Sequence, residues 1–266
     1  MKKKLGFALG AVGSRGCAHI GFLKAMEESG IRPDYISGTS MGSVVGACYS
    51  AGMTPNQMIE AVKKLKLSDI FDLSFNPLGS GALLRSEKML NKLKQFLGEK
   101  TFEDLIIPFR CVATDLVKGK SVVFSGKRTV AECVAASSTI PSVFRPVTMD
   151  DMVLVDGAVT CRVPIHTVRE MGAEVVIAVD VLGKIRPSDK KYNLLSVLLR
   201  TFDIADSELT RYKTGRQRAD MFLEPDLGDM NQYKFKDIAM AIEKGYELGH
   251  EHAEHIKELI NQAHEA

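Results

Sequence analysis

No stretch of this 266-residue chain approaches the roughly 20 consecutive apolar residues that a membrane-spanning helix needs, so any membrane contact is expected to be peripheral. An excess of one charge is missing too. Lys and Arg number 35 against 33 Asp and Glu, a formal net charge of +2, and that balance gives no reason to expect nucleic acid as a partner. The five cysteines, Cys17, Cys48, Cys111, Cys133 and Cys161, are odd in number, sit among apolar or small residues and form no C-x-x-C pair or His/Cys cluster. Disulfides, a metal site and a bound cofactor are not expected, and the reading is of reduced core thiols in a cytoplasmic protein. Internal repeats, low-complexity linkers and a clean domain boundary are also absent. At this length one α/β domain with a substantial core is the simplest expectation.

What is present alternates between strand and helix patterns. Met1-Lys2-Lys3-Lys4 and the apolar residues after it have the outline of a signal peptide, but the apolar stretch is short and broken by Gly6, and residues 5–9 read as a first strand. A glycine-containing loop runs through Gly16, and residues 18–29 carry a helical pattern closed by Gly30. A second strand at 33–37 leads into a helix of small residues that ends near Ala51-Gly52. Met58, Ile59, Val62 and Leu65 predict an amphipathic helix over 55–66 with Thr54 as its cap. Residues 68–85 lose periodicity and read as a connection, in which Phe71, Phe75 and the glycines around Leu78 are candidates for a mobile flap. Further helices are predicted at 86–96, 130–137, 163–171, 194–212 and over most of 235–264, with strands at 109–114, 121–124, 152–155, 174–181 and 220–223. Such alternation implies a mainly parallel sheet covered on both faces.

Gly38-Thr39-Ser40-Met41-Gly42 lies where the second strand ends and the small-residue helix begins. In a nucleophile elbow the serine occupies a sharp strand-to-helix turn, and the positions two residues to either side must be small for strand and helix to pack. Gly38 and Gly42 meet that need. The helix that follows would also aim its free amides and positive dipole end at Ser40.

Gly10-Ala11-Val12-Gly13-Ser14-Arg15-Gly16 follows the first strand and precedes a helix, the place of a dinucleotide-binding loop. Its spacing is G-x-x-G-x-x-G instead of G-x-G-x-x-G, and the second strand ends in the serine motif where a ribose-binding acid would be needed. A better use for the loop is as an oxyanion hole, with the amides of Val12, Gly13 and Ser14 as candidates and Arg15 nearby. A base for Ser40 is harder to find. His19 lies within the first helix, His166 in a later one, and His250, His252, His255 and His264 crowd a polar terminal segment. None sits in a loop at a strand end with a supporting acid, whereas Asp156 does end a strand and is followed by Gly157-Ala158, although an aspartate in a plain turn has the same look.

Taken in order, these motifs resemble the patatin-like phospholipase family, whose pattern is a glycine-rich oxyanion loop, G-x-S-x-G and a later D-G-[GA]. Ala136-Ser137-Ser138-Thr139-Ile140-Pro141, with Phe144 and Pro146, adds to the likeness, which covers about residues 5–225. The resemblance implies a three-layer α/β/α sandwich, a single domain over 1–266 with 226–266 as a helical extension, and a Ser40–Asp156 dyad without histidine. It further implies cleavage of lipid or other acyl esters. Two positions depart from the pattern: Ala11 and Val12 replace glycines of the loop, which implies reduced or altered activity, and Cys161-Arg162-Val163-Pro164 lacks the asparagines common after the aspartate. The alternatives are an α/β-hydrolase triad of Ser40, Asp156 and His166 or a terminal histidine, and a catalytically silent lipid-binding protein on the same scaffold.

Overall fold

Residues Leu5–Leu9 carry no polar side chain, so a strand made of them is stable only when both faces are covered, and all five are buried. This strand, β1, lies within an eight-stranded sheet in a computed structural model that describes residues 2–70, 84–183, 193–214, 219–230 and 236–262. A 3-10 turn, Gly13–Cys17, leads into α1 (Ala18–Glu28); β2 (Tyr35–Thr39) follows, then α2 (Met41–Ser50) and α3 (Pro55–Lys64). Next come α4 (Glu87–Leu97), the antiparallel pair β3 (Phe109–Asp115) and β4 (Lys120–Phe124), α5 (Val130–Ser137), and a second hairpin of β5 (Val147–Met149) and β6 (Met152–Asp156). The chain continues through α6 (Ile165–Glu170), β7 (Val175–Val179), α7 (Leu194–Thr214), β8 (Met221–Leu223) and α8 (Ile238–Asn261). The strand order is β5-β6-β3-β2-β1-β7-β8, with β4 also on β3, and β1, β2, β3, β7 and β8 run parallel.

Alternation along β1 divides the core into two layers. Phe7 and Leu9 face the larger layer, where Phe7 meets Phe22 of α1 edge to face at 5.2 Å between ring centres and Leu9 lies near Gly46 of α2. Ala8 faces the other way, with Val176 and Ala178 of β7, toward Ile165 and Val168 of α6. Helices thus cover both faces, as the sequence pattern requires.

The terminal helix is part of the first layer. A Cβ at Gly21 of α1 would fall on the Ile242 carbonyl of α8, and one at Gly245 of α8 would fall on the Ala18 carbonyl. Glycine at both positions lets the two backbones touch.

The local signals work as the sequence suggests at α3, where Thr54 and Gln57 form a reciprocal capping box and Pro55 opens the helix. Strand β5 is an addition. It is three residues long, borders Pro146 and turns through Asp150 (φ 51°) without a glycine, so it carries none of the usual hairpin signals. Helix α6 starts at Ile165, two residues later than expected, because Pro164 stands at its N-cap. The flap candidates Phe71, Phe75 and Leu78 lie outside the described residues, as do Phe235 and His264.

Sheet register converges on one point. Strand β2 pairs with β3 up to Thr39 opposite Val112, and β6, running the other way, pairs with β3 from Asp156 opposite Ala113. Because β4 spans Cys111–Asp115 from the far edge, β2 and β6 must share the same edge of β3. Their C-terminal ends therefore meet head to head.

Candidate active site

Ser40 stands between the last residue of β2 and the first of α2 with φ 53° and ψ −125°, a backbone region that costs a non-glycine residue strain. Several contacts hold it there. Its N–H donates to Ser137 Oγ at 3.0 Å, and that hydroxyl in turn donates to the Val112 carbonyl at 2.6 Å. The amides of Ser43 and Val44 return to the Ser40 carbonyl at 2.8 and 3.1 Å and start α2 with its amino end at the serine. A Cβ at Gly38 would strike the Gly42 carbonyl, and one at Gly42 would strike the carbonyls of Leu9 and Gly10. Both glycines are thus required for the turn to close.

Ser40 Oγ donates to Asp156 Oδ2 at 2.6 Å. Asp156 is 3% exposed; its other carboxylate oxygen accepts the Ala158 N–H at 2.9 Å, and its own N–H donates to the Thr139 carbonyl at 2.8 Å. Burial raises its carboxyl to about 6, against the hydrogen bonds from Ser40 and Ala158 that favour the charged form. Gly157 fits under the Val112 carbonyl and the Thr39 side chain where no Cβ has room. Two further side chains of β2 pin the segment after the aspartate: Thr39 Oγ1 donates to the Cys161 carbonyl at 2.9 Å and Ser37 Oγ to the Pro164 carbonyl at 2.8 Å.

Among the described residues no histidine bonds to Ser40 or Asp156. His19 is fully buried, its Nε2 lies 2.8 Å from the Gly10 carbonyl, and burial lowers its pKa to about 4, so it stays neutral and donates. His166 is exposed and pairs with Glu170. His252 bonds the Leu248 carbonyl of its own helix, and His255 faces Glu258.

The glycine loop is anchored at its first peptide unit. The Gly10 carbonyl is held by His19, the Gly10 N–H donates to the Val179 carbonyl at 2.9 Å, and the Ala11 N–H donates to the Arg162 carbonyl at 3.1 Å. From there Val12 is extended and Gly13 (φ 45°) opens the 3-10 turn. Gly13 and Ser14 line the same cavity as Ser40; Val12 and Arg15 do not, and the Arg15 guanidinium lies toward Gly183.

Arg162, noted in the sequence only as a departure, is the centre of a buried ion network. Its guanidinium reaches Asp180 at 2.7 Å and Asp206 of α7 at 3.0 Å, and all three residues are almost fully enclosed. Burial raises Asp206 to about 7, with Arg162 acting in the opposite direction. No sequence signal joined these three positions, which lie on separate elements.

The cavity beside Ser40 has a volume of about 170 Å³ and is bounded by α2, α3 and α4. Val44 and Cys48 continue from Ser40 along one face of α2, and Met58, Leu93 and Phe144 also line the cavity. Lys92 is the single charged side chain among the described residues of its wall. A space of this shape and chemistry suits an alkyl chain.

The family model of patatin-like phospholipases matches residues 7–169, a segment that contains the loop, Ser40 and Asp156. The chain belongs to the patatin-like phospholipase family. An uncharacterised NTE family protein of Mycobacterium tuberculosis is 35% identical over 180 residues, 68% of this chain and 49% of that protein. The human patatin-like phospholipase domain-containing protein 6 is 34% identical over 186 residues, 66% of this chain but 13% of that protein. The chain spans about half the length of its mycobacterial relatives. Among solved structures, VipD from Legionella pneumophila superposes with a TM-score of 0.64 at 13% identity, covering 96% of this chain and 67% of that one. The type III effector protein ExoU does so at 0.51 and 14% identity, covering 95% and 53%. At these identities the likeness is one of patatin-like fold.

Against the patatin-like pattern, Ala11 and Val12 depart at positions that precede the cavity wall. The Ala11 side chain is buried and its amide already serves the Arg162 carbonyl, so the substitutions fall on the anchoring part of the loop.

Proposed function

We propose that the chain is a serine acyl hydrolase for carboxylic esters of lipids, with Ser40 as nucleophile and Asp156 as proton acceptor. The observation that carries this reading is the 2.6 Å hydrogen bond from Ser40 Oγ to a buried carboxylate at the edge of an apolar cavity. Ser40 Oγ attacks the ester carbonyl carbon while its proton passes to Asp156 Oδ2. The carbonyl oxygen gains the negative charge, and the amides of Gly13 and Ser14, with the amino end of α2, stabilise it. As the intermediate collapses, Asp156 gives the proton to the departing alcohol and an acyl-Ser40 ester remains. Water then attacks that ester with Asp156 again as the base, and the acid leaves. An aspartate near its usual pKa is a weak base; one raised to about 6 is better matched to neutral pH.

The alkyl chain of the acyl group occupies the cavity along α2, and such a substrate brings the protein to lipid surfaces without a spanning segment; among the described residues no helix is long and apolar enough to cross a membrane. The packing of α8 on α1 favours treating the chain as one domain, and five cysteines that form no disulfide favour a reducing, cytoplasmic setting. Reaction with a fluorophosphonate probe tests the nucleophile. The intact protein is expected to take up one equivalent and Ser40→Ala none; persistent labelling of Ser40→Ala overturns the assignment.

A further inference from the structure

One hydroxyl in the cavity wall has no partner among the described residues. Ser138, immediately after α5, is 8% exposed and lines the cavity with Ser40, yet its Oγ is enclosed and makes no hydrogen bond. Its backbone is fully used: the N–H donates to the Ala135 carbonyl at 3.1 Å and the carbonyl accepts from Ile140 N–H at 3.1 Å. The residues on either side are also committed. Ser137 Oγ accepts the N–H of Ser40, and the Thr139 carbonyl accepts the N–H of Asp156. Thr139 Oγ1 is occupied as well, donating to the Ala135 carbonyl at 2.9 Å. Of three consecutive hydroxyl side chains, two are engaged inside the protein, and the one between them, next in sequence to a contact of each member of the dyad, makes no bond to a described residue.

An enclosed hydroxyl without a partner lowers stability, and alanine at the same position would remove that cost. A turn of the side chain about χ1 that brings this enclosed oxygen to the cavity surface, where a ligand oxygen accepts its hydrogen bond, would remove it as well. The sheet order indicates which oxygen. Ser40, at the end of β2, has β1 and its loop on one side, where Gly13 and Ser14 line the cavity and, on the proposed reading, receive the carbonyl oxygen. On the other side are the β3–β6 edge, Asp156 and the segment 137–139. Asp156 must hand its proton to the departing oxygen, so that oxygen lies on the Asp156 side.

We propose that Ser138 Oγ is a further catalytic group that donates a hydrogen bond to the alkoxy oxygen of the scissile ester as it leaves. Its own proton stays on Ser138; the proton that completes the alcohol comes from Asp156. The proposal rests on the serine hydrolase reading. Its consequence is a dependence on leaving group, because an alkyl alkoxide gains far more from such a donor than a nitrophenolate, whose charge is already delocalised.

The test compares Ser138→Ala with the unaltered protein on a p-nitrophenyl ester and on a glyceryl ester of the same acid, together with thermal melting. The expected result is a kcat/KM loss of about tenfold on the glyceryl ester and little change on the nitrophenyl ester, with melting unchanged or raised. Equal losses on both esters, no loss on either, or a lowered melting temperature overturn the proposal. Fluorophosphonate labelling separates this from failure of the wider reading. If the unaltered protein and Ser138→Ala both label at Ser40 while the leaving-group dependence is missing, the role of Ser138 alone fails; if the unaltered protein does not label, the hydrolase reading fails first.

Discussion

Thr39 and Asp156 occupy neighbouring register positions on one edge of β3, opposite Val112 and Ala113. The residue after Thr39 is Ser40, so the separation of serine and carboxylate is set by backbone pairing and not by flexible side chains. A parallel strand and an antiparallel strand end against each other, and the gap between them is closed by Gly157 beneath the Val112 carbonyl.

Gly157→Ala is therefore expected to push the two strand ends apart. Its Cβ would meet backbone, which has little room to yield, and overpacking of this kind costs about 1–3 kcal/mol. Urea unfolding and ester hydrolysis on the same preparation check it, with kcat expected to fall at least tenfold beyond any loss of folded protein.

Asp156 links the site to pH. Burial raises its carboxyl from 3.8 to about 6, so the folded chain holds the proton more tightly than the unfolded chain. The contribution of Asp156 to stability is then full below about 4 and is lost as pH rises through 6, by on the order of 3 kcal/mol. Asp156→Asn, which is uncharged throughout, is expected to be more stable than the unaltered protein at pH 8, with the gap closing toward pH 4. Urea titrations at both pH values check this; an Asn variant that is less stable at pH 8 contradicts it.

Arg162→Met leaves two buried carboxylates, Asp180 and Asp206, without their cation. Removing one side of such a network costs about 3–5 kcal/mol. The loss is expected to appear in thermal melting and to shrink as pH falls, because without Arg162, which lowers the Asp206 pKa, the buried Asp206 carboxyl takes up a proton more readily than in the unaltered protein.

Cys48 lies two helical turns from Ser40 on the cavity face of α2. Cys48→Phe fills the space that the proposed reading gives to the far part of an alkyl chain. Hydrolysis of p-nitrophenyl dodecanoate is expected to fall about tenfold or more relative to the butanoate, consistent with about 1–3 kcal/mol for a few displaced methylenes; an unchanged ratio contradicts the placement of the chain.

The elbow was legible in the sequence because its demands are local: a strand, a serine, a helix and two small residues all fall within one short segment. Asp156 was legible as a strand-end acid, but its partnership with Ser40 followed only from family resemblance, since it arises from the pairing of two strands with a third. His19 was read as a packed helix residue, which it is, yet its hold on the Gly10 carbonyl depends on how α1 folds back over β1. The Arg162 network and the cavity were not legible. Each joins residues far apart in the chain, and no spacing rule connects Arg162 with Asp206 or Cys48 with Leu93. Strand β5 escaped because three residues beside a proline make no periodic pattern.

The rate of fluorophosphonate labelling across pH 4–8, followed by intact mass for the unaltered protein and for Asp156→Asn, tests the dyad most directly. The account predicts that labelling of Ser40 rises with an apparent pKa of about 6 in the unaltered protein and is slow and flat in Asp156→Asn. Labelling of Asp156→Asn at the unaltered rate, with the same rise through pH 6, would contradict it.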